Sequence, residues 1–223
     1  MFVLMSALSL ANPMFQSPTV IVALGDSTTA GTPAFKSPIE APPKGSGNEQ
    51  SQYAYWLMQR HEDWRVLNRG VNGERTDQIA ARFDRDVLGA RPRVVVILAG
   101  VNDVYQGRTV ESVTSQLHAM YDRARQAGIQ VIAGSIIPYN TATPEQNARM
   151  HDINAWIADQ AARDPNIRFV DTRKAAASAQ DPDRLSGSPD GLHPDAAGYR
   201  KMAEAIETVL QAALRAEGKR ARE

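Results

Sequence analysis

Five residues spread along the 223-residue chain have types and settings suited to acyl transfer: Ser27, Gly73, Asn102, Asp190 and His193. Ser27 follows an apolar, β-branched run at residues 20–24 and then Gly25, where the backbone can turn sharply. A serine so placed is a helix N-cap, a phosphate contact or a nucleophile. Asp190 and His193 are three residues apart, so one tight turn brings the carboxylate to the imidazole. That contact would hold the Nδ1–H tautomer and leave Nε2 free to take a hydroxyl proton from Ser27. Asn102 offers a side-chain N–H, Gly73 a backbone N–H in a tight turn, and the Ser27 amide a third donor; together they would receive an oxyanion.

Each residue also has an ordinary use. Ser27 can cap the next helix. Asn102-Asp103 and Asp190-Gly191 are good turn pairs, and Gly73 can be a turn glycine. His193 can be satisfied by a nearby carbonyl. The readings part company over placement, because in a parallel sheet all the strand ends that carry these residues lie on one rim.

The elements that must provide the rim are legible in the apolar pattern. Strands are predicted at 20–24, 64–68, 93–99, 129–137 and 167–170. Amphipathic helices fall between them. Tyr53, Trp56, Leu57 and Arg60 mark one, and Ile79, Phe83 and Val87 space a single second helix. Val113, Leu117, Met120, Tyr121 and Ala124 form a stripe on a third. Thr143-Pro144-Glu145-Gln146 is a capping box that opens a fourth, carrying Met150, Ile153 and Ile157. The last helix has Tyr199, Met202, Ile206, Val209, Leu210 and Ala213 on one face. Strands alternating with helices predict a parallel sheet of about five strands, built through right-handed crossovers and covered on both faces. This is an α/β chain with a three-layer α/β/α sandwich. Residues 32–50 are rich in Pro, Gly, Ser and Lys and are expected to form a long loop, either a lid or pocket wall beside Ser27 or a surface insertion.

Bulk properties narrow the function. The 25 basic and 25 acidic residues cancel, and the basic-leaning stretch 215–222 reads as a solvated helix end, so no nucleic-acid partner is expected. There is no cysteine, hence no disulfide, thiolate metal site or cysteine nucleophile. No stretch approaches the roughly 20 apolar residues of a membrane span. Residues 1–11 are apolar and end in Ser9-Leu10-Ala11, loosely a signal-peptide pattern, but lack a basic start, and Met14 offers a second start. A cytoplasmic location is therefore favoured over export.

Gly25-Asp26-Ser27-Thr28, Gly73 in the turn at 68–76, Gly100-Val101-Asn102-Asp103 and Asp190-Gly191-Leu192-His193-Pro194 resemble, in order, the four blocks of the SGNH (GDSL) hydrolase family. The resemblance spans residues 20–210. In the second block Gly70 competes with Gly73, and spacing from the strand favours Gly73. The resemblance implies a flavodoxin-like catalytic domain at 19–216, between an extension at 1–18 and a tail at 217–223. It implies no cofactor, no metal, a small-molecule ester as substrate, and hydrolysis through an acyl-enzyme on Ser27. Asp190 and His193 match the family's triad partners, and Gly73 and Asn102 its oxyanion-hole residues. Thr28 departs from the larger aliphatic residue often found there. With Tyr139, Asn140 and the Pro-rich loop it is expected to make a polar rim suited to short acyl groups. An acyl-CoA thioesterase or lysophospholipase of the same family is the alternative. Outside it, the hydroxyl-rich run 27–32 superficially resembles an FMN-phosphate loop, and a catalytically dead carbohydrate-binding relative is a third reading.

Overall fold

A computed structural model describes residues 17–220. The apolar start at 1–11, Met14 and the chain end at 221–223 lie outside the described residues. Within them, β1 (Thr19–Gly25), β4 (Trp64–Gly70), β5 (Val94–Leu98), β6 (Gln130–Gly134) and β7 (Ile167–Val170) form one parallel sheet in the order β4-β1-β5-β6-β7. The chain leaves β1 to one side and returns past it to β5. The rim between those two strands is therefore the crevice where ligands bind in such sheets.

Alternation along the strands builds two cores. Val22, Leu24, Val95, Ile97, Val131 and Ala133 face one layer, made by α3 (Thr76–Ala81), α4 (Phe83–Asp86), α6 (Val110–Gln126) and α7 (Pro144–Arg163). Ile21, Ala23, Val94, Val96 and Ile132 face the other, made by α2 (Tyr53–Arg60), α8 (Thr172–Ala176) and α9 (Ala196–Arg220). α9 carries the helical backbone four residues past 216. The Thr143 capping box forms as expected, with Gln146 N–H donating to Thr143 Oγ1 at 3.2 Å.

Three expectations change. The fourth strand stops at Gly134, not 137. Its neighbour β7 ends at Val170, which takes the Ser135 N–H at 3.0 Å, and Ile136 turns to another partner: Asn154 accepts from Ile136 N–H at 2.6 Å and donates to Ile136 C=O at 3.0 Å. The helix spaced by Ile79, Phe83 and Val87 is broken at Arg82 into α3 and α4. Arg82 is buried and donates to Gly25 C=O (2.8 Å), Arg69 C=O (2.8 Å), Glu74 (2.6 Å) and Asp86 (2.7 Å), so its side chain pulls inward to the strand ends. The segment 32–50 is neither lid nor loose insertion. β2 (Phe35–Lys36) pairs antiparallel with β3 (Ser46–Gly47), and Phe35 is buried. Ser37 Oγ donates to Gly70 C=O at 2.6 Å, and Glu40 accepts from Asn72 N–H at 2.9 Å. It braces the turn after β4.

At the rim, Gly25 of β1 pairs with Gly70 of β4, and α1 (Ser27–Ala30) lies directly on them. A Cβ on Gly70 would sit 2.1 Å from Ala30 N and 2.6 Å from Ala30 Cα, both backbone atoms that cannot swing aside. Gly70→Ala is expected to destabilise by about 3 kcal/mol or more, the upper range for overpacking, read as a drop in the urea midpoint. An unchanged midpoint would mean that α1 is free to lift off the sheet.

Candidate active site

Ser27 opens the single turn α1. It is not that helix's cap: Asp26 is, accepting from Thr28 N–H at 2.9 Å. The serine hydroxyl is thereby free for other work. Its Oγ lies 2.9 Å from His193 Nε2, and His193 Nδ1 lies 2.7 Å from Asp190 Oδ2. The other Asp190 oxygen accepts from the Leu192 and His193 N–H groups, both at 2.9 Å. Burial pushes the Asp190 carboxyl up, but the imidazole and these two amides outweigh it and hold the group below its ordinary range. An ionised carboxylate facing Nδ1 leaves Nε2 as the acceptor toward Ser27, the arrangement that proton transfer from a nucleophilic hydroxyl requires.

Asn102 lies in α5 (Val101–Tyr105), just past β5, and lines the cleft with Ser27. One N–H of its Nδ2 is used, donating to Glu74 C=O at 2.9 Å, which ties the β5 loop to the β4 loop. The second N–H has no hydrogen-bond partner among the described residues. Gly73 has φ +77°, with open space where a Cβ would point, so backbone conformation and not crowding selects glycine here. Gly73 itself does not line the cleft; its neighbour Asn72 does. Asp103 accepts from Thr76 N–H (2.9 Å) and Thr76 Oγ1 (2.8 Å) and so locks the same two loops together from below.

Other supports lie outside the sequence reading. Ser188 Oγ donates to His193 C=O at 2.7 Å and accepts from Gly191 N–H at 2.8 Å, which closes the Asp190–His193 turn on itself. The polar-rim residues divide. Thr28 and Tyr139 line the cleft, although both are buried. Asn140 does not line it: its Oδ1 accepts from Leu185 N–H (2.9 Å) and its N–H donates to Gly191 C=O (2.7 Å), so it anchors the loop that carries Asp190 and His193. The Pro-rich segment is absent from the lining. Val101, Tyr105 and Leu192 take those places and make the wall more apolar than expected. The cavity over Ser27 holds about 170 Å³.

Two hydroxyls of the phosphate-loop reading already have partners: Ser27 Oγ faces His193 Nε2 and Thr29 Oγ1 faces Tyr53 OH at 3.0 Å. Thr28 and Thr29 are buried. Among the described residues, no group of three or more His, Asp or Glu side chains is placed to hold a metal ion.

The model of the GDSL-like lipase/acylhydrolase family matches residues 23–201. An acetylxylan esterase from Geobacillus stearothermophilus is 26% identical over 156 residues, covering 64% of this chain and 70% of that protein. Among solved structures, a protein of the lipolytic G-D-S-L family from Desulfitobacterium hafniense is 27% identical with a TM-score of 0.71, covering 86% of this chain and 99% of the other. A catalytic variant of an acetylxylan esterase from Geobacillus stearothermophilus shares the fold at 21% identity and a TM-score of 0.67, covering 85% of this chain and 93% of its own.

Beneath Ser27 lies a carboxyl with a measurable signature. Burial pushes Asp26 from 3.8 up to about 7, against the Thr28 N–H, which pulls it down. Below 3.8 the group is neutral in both the folded and unfolded chain, and its contribution to stability is fully present. Between 3.8 and about 7 the unfolded chain releases this proton while the folded one keeps it, so stability falls and the contribution is lost above about 7. Burial shifts Asp103 in the same direction. The expected result is a denaturant midpoint that declines across this window, and a flatter profile in Asp26→Asn, which keeps the acceptor for Thr28. Identical slopes in the two proteins would show Asp26 ionised throughout.

Proposed function

The chain belongs to the GDSL-like lipase/acylhydrolase family and is a hydrolase of carboxylic esters; from that premise we propose that it removes short, acetyl-type acyl groups from an alcohol through an acyl-enzyme on Ser27. The observation that carries this reading is the unbroken relay from Ser27 Oγ to His193 Nε2 (2.9 Å) and from His193 Nδ1 to Asp190 Oδ2 (2.7 Å). In the first half-reaction His193 takes the Ser27 proton as Oγ attacks the ester carbonyl. The oxyanion turns toward the Ser27 and Gly73 amides and the free Asn102 N–H. His193 then returns the proton to the departing alcohol oxygen, and the C–O bond to the alcohol breaks. In the second half-reaction water takes the alcohol's place: His193 removes its proton, hydroxide adds to the acyl carbon, and Ser27 leaves with that proton.

The acyl preference rests on size. A cavity of about 170 Å³ is well below the roughly 300–1,000 Å³ of drug-sized ligand sites. An acetyl group fits within it, whereas a long fatty chain of a lysophospholipid or acyl-CoA would run out through its open side into water. The resemblance to an acetylxylan esterase points the same way.

Ser27→Ala is expected to lower kcat on p-nitrophenyl acetate by about 10⁴-fold or more with the fold intact, and a fluorophosphonate should label Ser27 alone. Label on another residue would reject the nucleophile. Asp190→Asn keeps the shape of the turn but reverses the hydrogen-bond demand on Nδ1, and a loss approaching about 10⁴-fold is expected. Near-normal activity in that variant would remove Asp190 from the relay. Along a series of p-nitrophenyl esters, kcat/KM is expected to be highest for acetate; a maximum at long chains would instead favour the thioesterase or lysophospholipase reading.

A further inference from the structure

Among the described residues, three large apolar side chains stand out into solvent: Met58 (36% exposed), Tyr105 (60%) and Leu192 (37%). Two of these three line the Ser27 cleft. Tyr105 is the last residue of α5, three positions after Asn102, and enters from the β5 side. Leu192 directly precedes His193 and enters with the Asp190 turn. Tyr105 also rests edge-on against the buried ring of Tyr139, with centroids 6.1 Å apart at 64°, so its own ring has a backing. Apolar surface left in water beside a reactive serine marks a place where a ligand is gripped.

Which half of the ester is gripped follows from chemistry, given the short-acyl hydrolase reading above. An acetyl group takes up only part of the half-open cleft over Ser27 and leaves room there for the alcohol. The alcohol must depart past His193 Nε2, which hands it a proton, and Leu192 sits at that residue's shoulder. We propose that Tyr105 and Leu192 form a two-sided clamp for the leaving alcohol, and that the alcohol they select carries a ring with a broad face, a pyranose or an aryl group, laid against the Tyr105 ring. A tyrosine ring and a leucine contact a ring face with little ordering cost, since few torsions need fixing. An open-chain alcohol would leave both side chains wet. Tyr105 is thus a specificity-determining residue that acts on binding.

The test compares wild type, Tyr105→Ala, Tyr105→Phe and Leu192→Ala on phenyl acetate, an acetylated methyl pyranoside, ethyl acetate and ethyl phenylacetate. Each variant is referred to wild type on the same ester, so differences in leaving-group reactivity cancel. Tyr105→Ala is expected to reduce the preference for the two ring alcohols over ethyl acetate by about five- to tenfold, mainly through KM. Tyr105→Phe should keep that preference, and Leu192→Ala should weaken it. An unchanged preference in Tyr105→Ala, while the esters are still hydrolysed, overturns the clamp and leaves the hydrolase standing. A loss confined to ethyl phenylacetate also overturns it, because the ring would then sit on the acyl side. If wild type cleaves none of the four esters, the hydrolase reading itself falls.

Discussion

The site depends on one steric fact: two strand ends and a helical turn meet with no side chain between them. Gly25 and Gly70 face each other across β1 and β4, and α1 lies on the pair. A Cβ on Gly25 would collide with Leu98 C=O at 2.2 Å, and one on Gly70 with Ala30 N at 2.1 Å. Only this bare junction lets the Ser27 turn lie low enough on the rim to meet groups arriving from β5 and from the loop before α9. Arg82 closes the junction by donating to the Gly25 and Arg69 carbonyls, the first of which also accepts from Val71 N–H at 3.1 Å.

Around that junction the loops hold one another rather than each standing alone. Asp103 and Asn102 tie the β5 loop to the β4 loop through Thr76 and Glu74. Glu40 and Ser37 hold the β4 turn from outside, and Asn140 and Ser188 hold the Asp190 turn. Nearly every reactive group is thus flanked by a buried or half-buried polar contact from a different segment. Preorganisation of this kind keeps donors aimed without reordering them during the reaction.

Much of this was legible in one chain. The strands announced themselves because a sheet covered on both faces needs unbroken apolar runs, and 20–24 and 94–99 are such runs. Ser27 and Asn102 stood out because polar residues immediately after such runs must lie on one rim, whereas Asp190 and His193 lie well past the last strand and stood out by their three-residue spacing. The cross-loop contacts were harder to see. Arg82 looks like one more exposed helical arginine until its partners, up to 57 residues away, are known. Asn140 looked like a rim residue because it follows a strand, yet its partners Leu185 and Gly191 turn it away from the cleft. Ser188 had a local signal, a hydroxyl two residues before Asp190-Gly191, the setting of a side-chain-closed turn. The short strands in 32–50 are stabilised by Phe35 burying itself and by Ser37 on Gly70, contacts that composition alone does not reveal.

α9 starts three residues after His193, and its Tyr199 hydroxyl reaches back to Thr32 C=O, just past the Ser27 turn, at 3.3 Å. The helix also seals the core against α2 through Leu57, Met202 and Ile206. Ser27 and His193 are 166 residues apart, and the imidazole follows the last strand of the sheet, so their contact waits on the docking of α9. Until then Ser27 is a plain alcohol. In the proposed mechanism it becomes a nucleophile only once α9 has docked, so a partly folded chain is not acylated there.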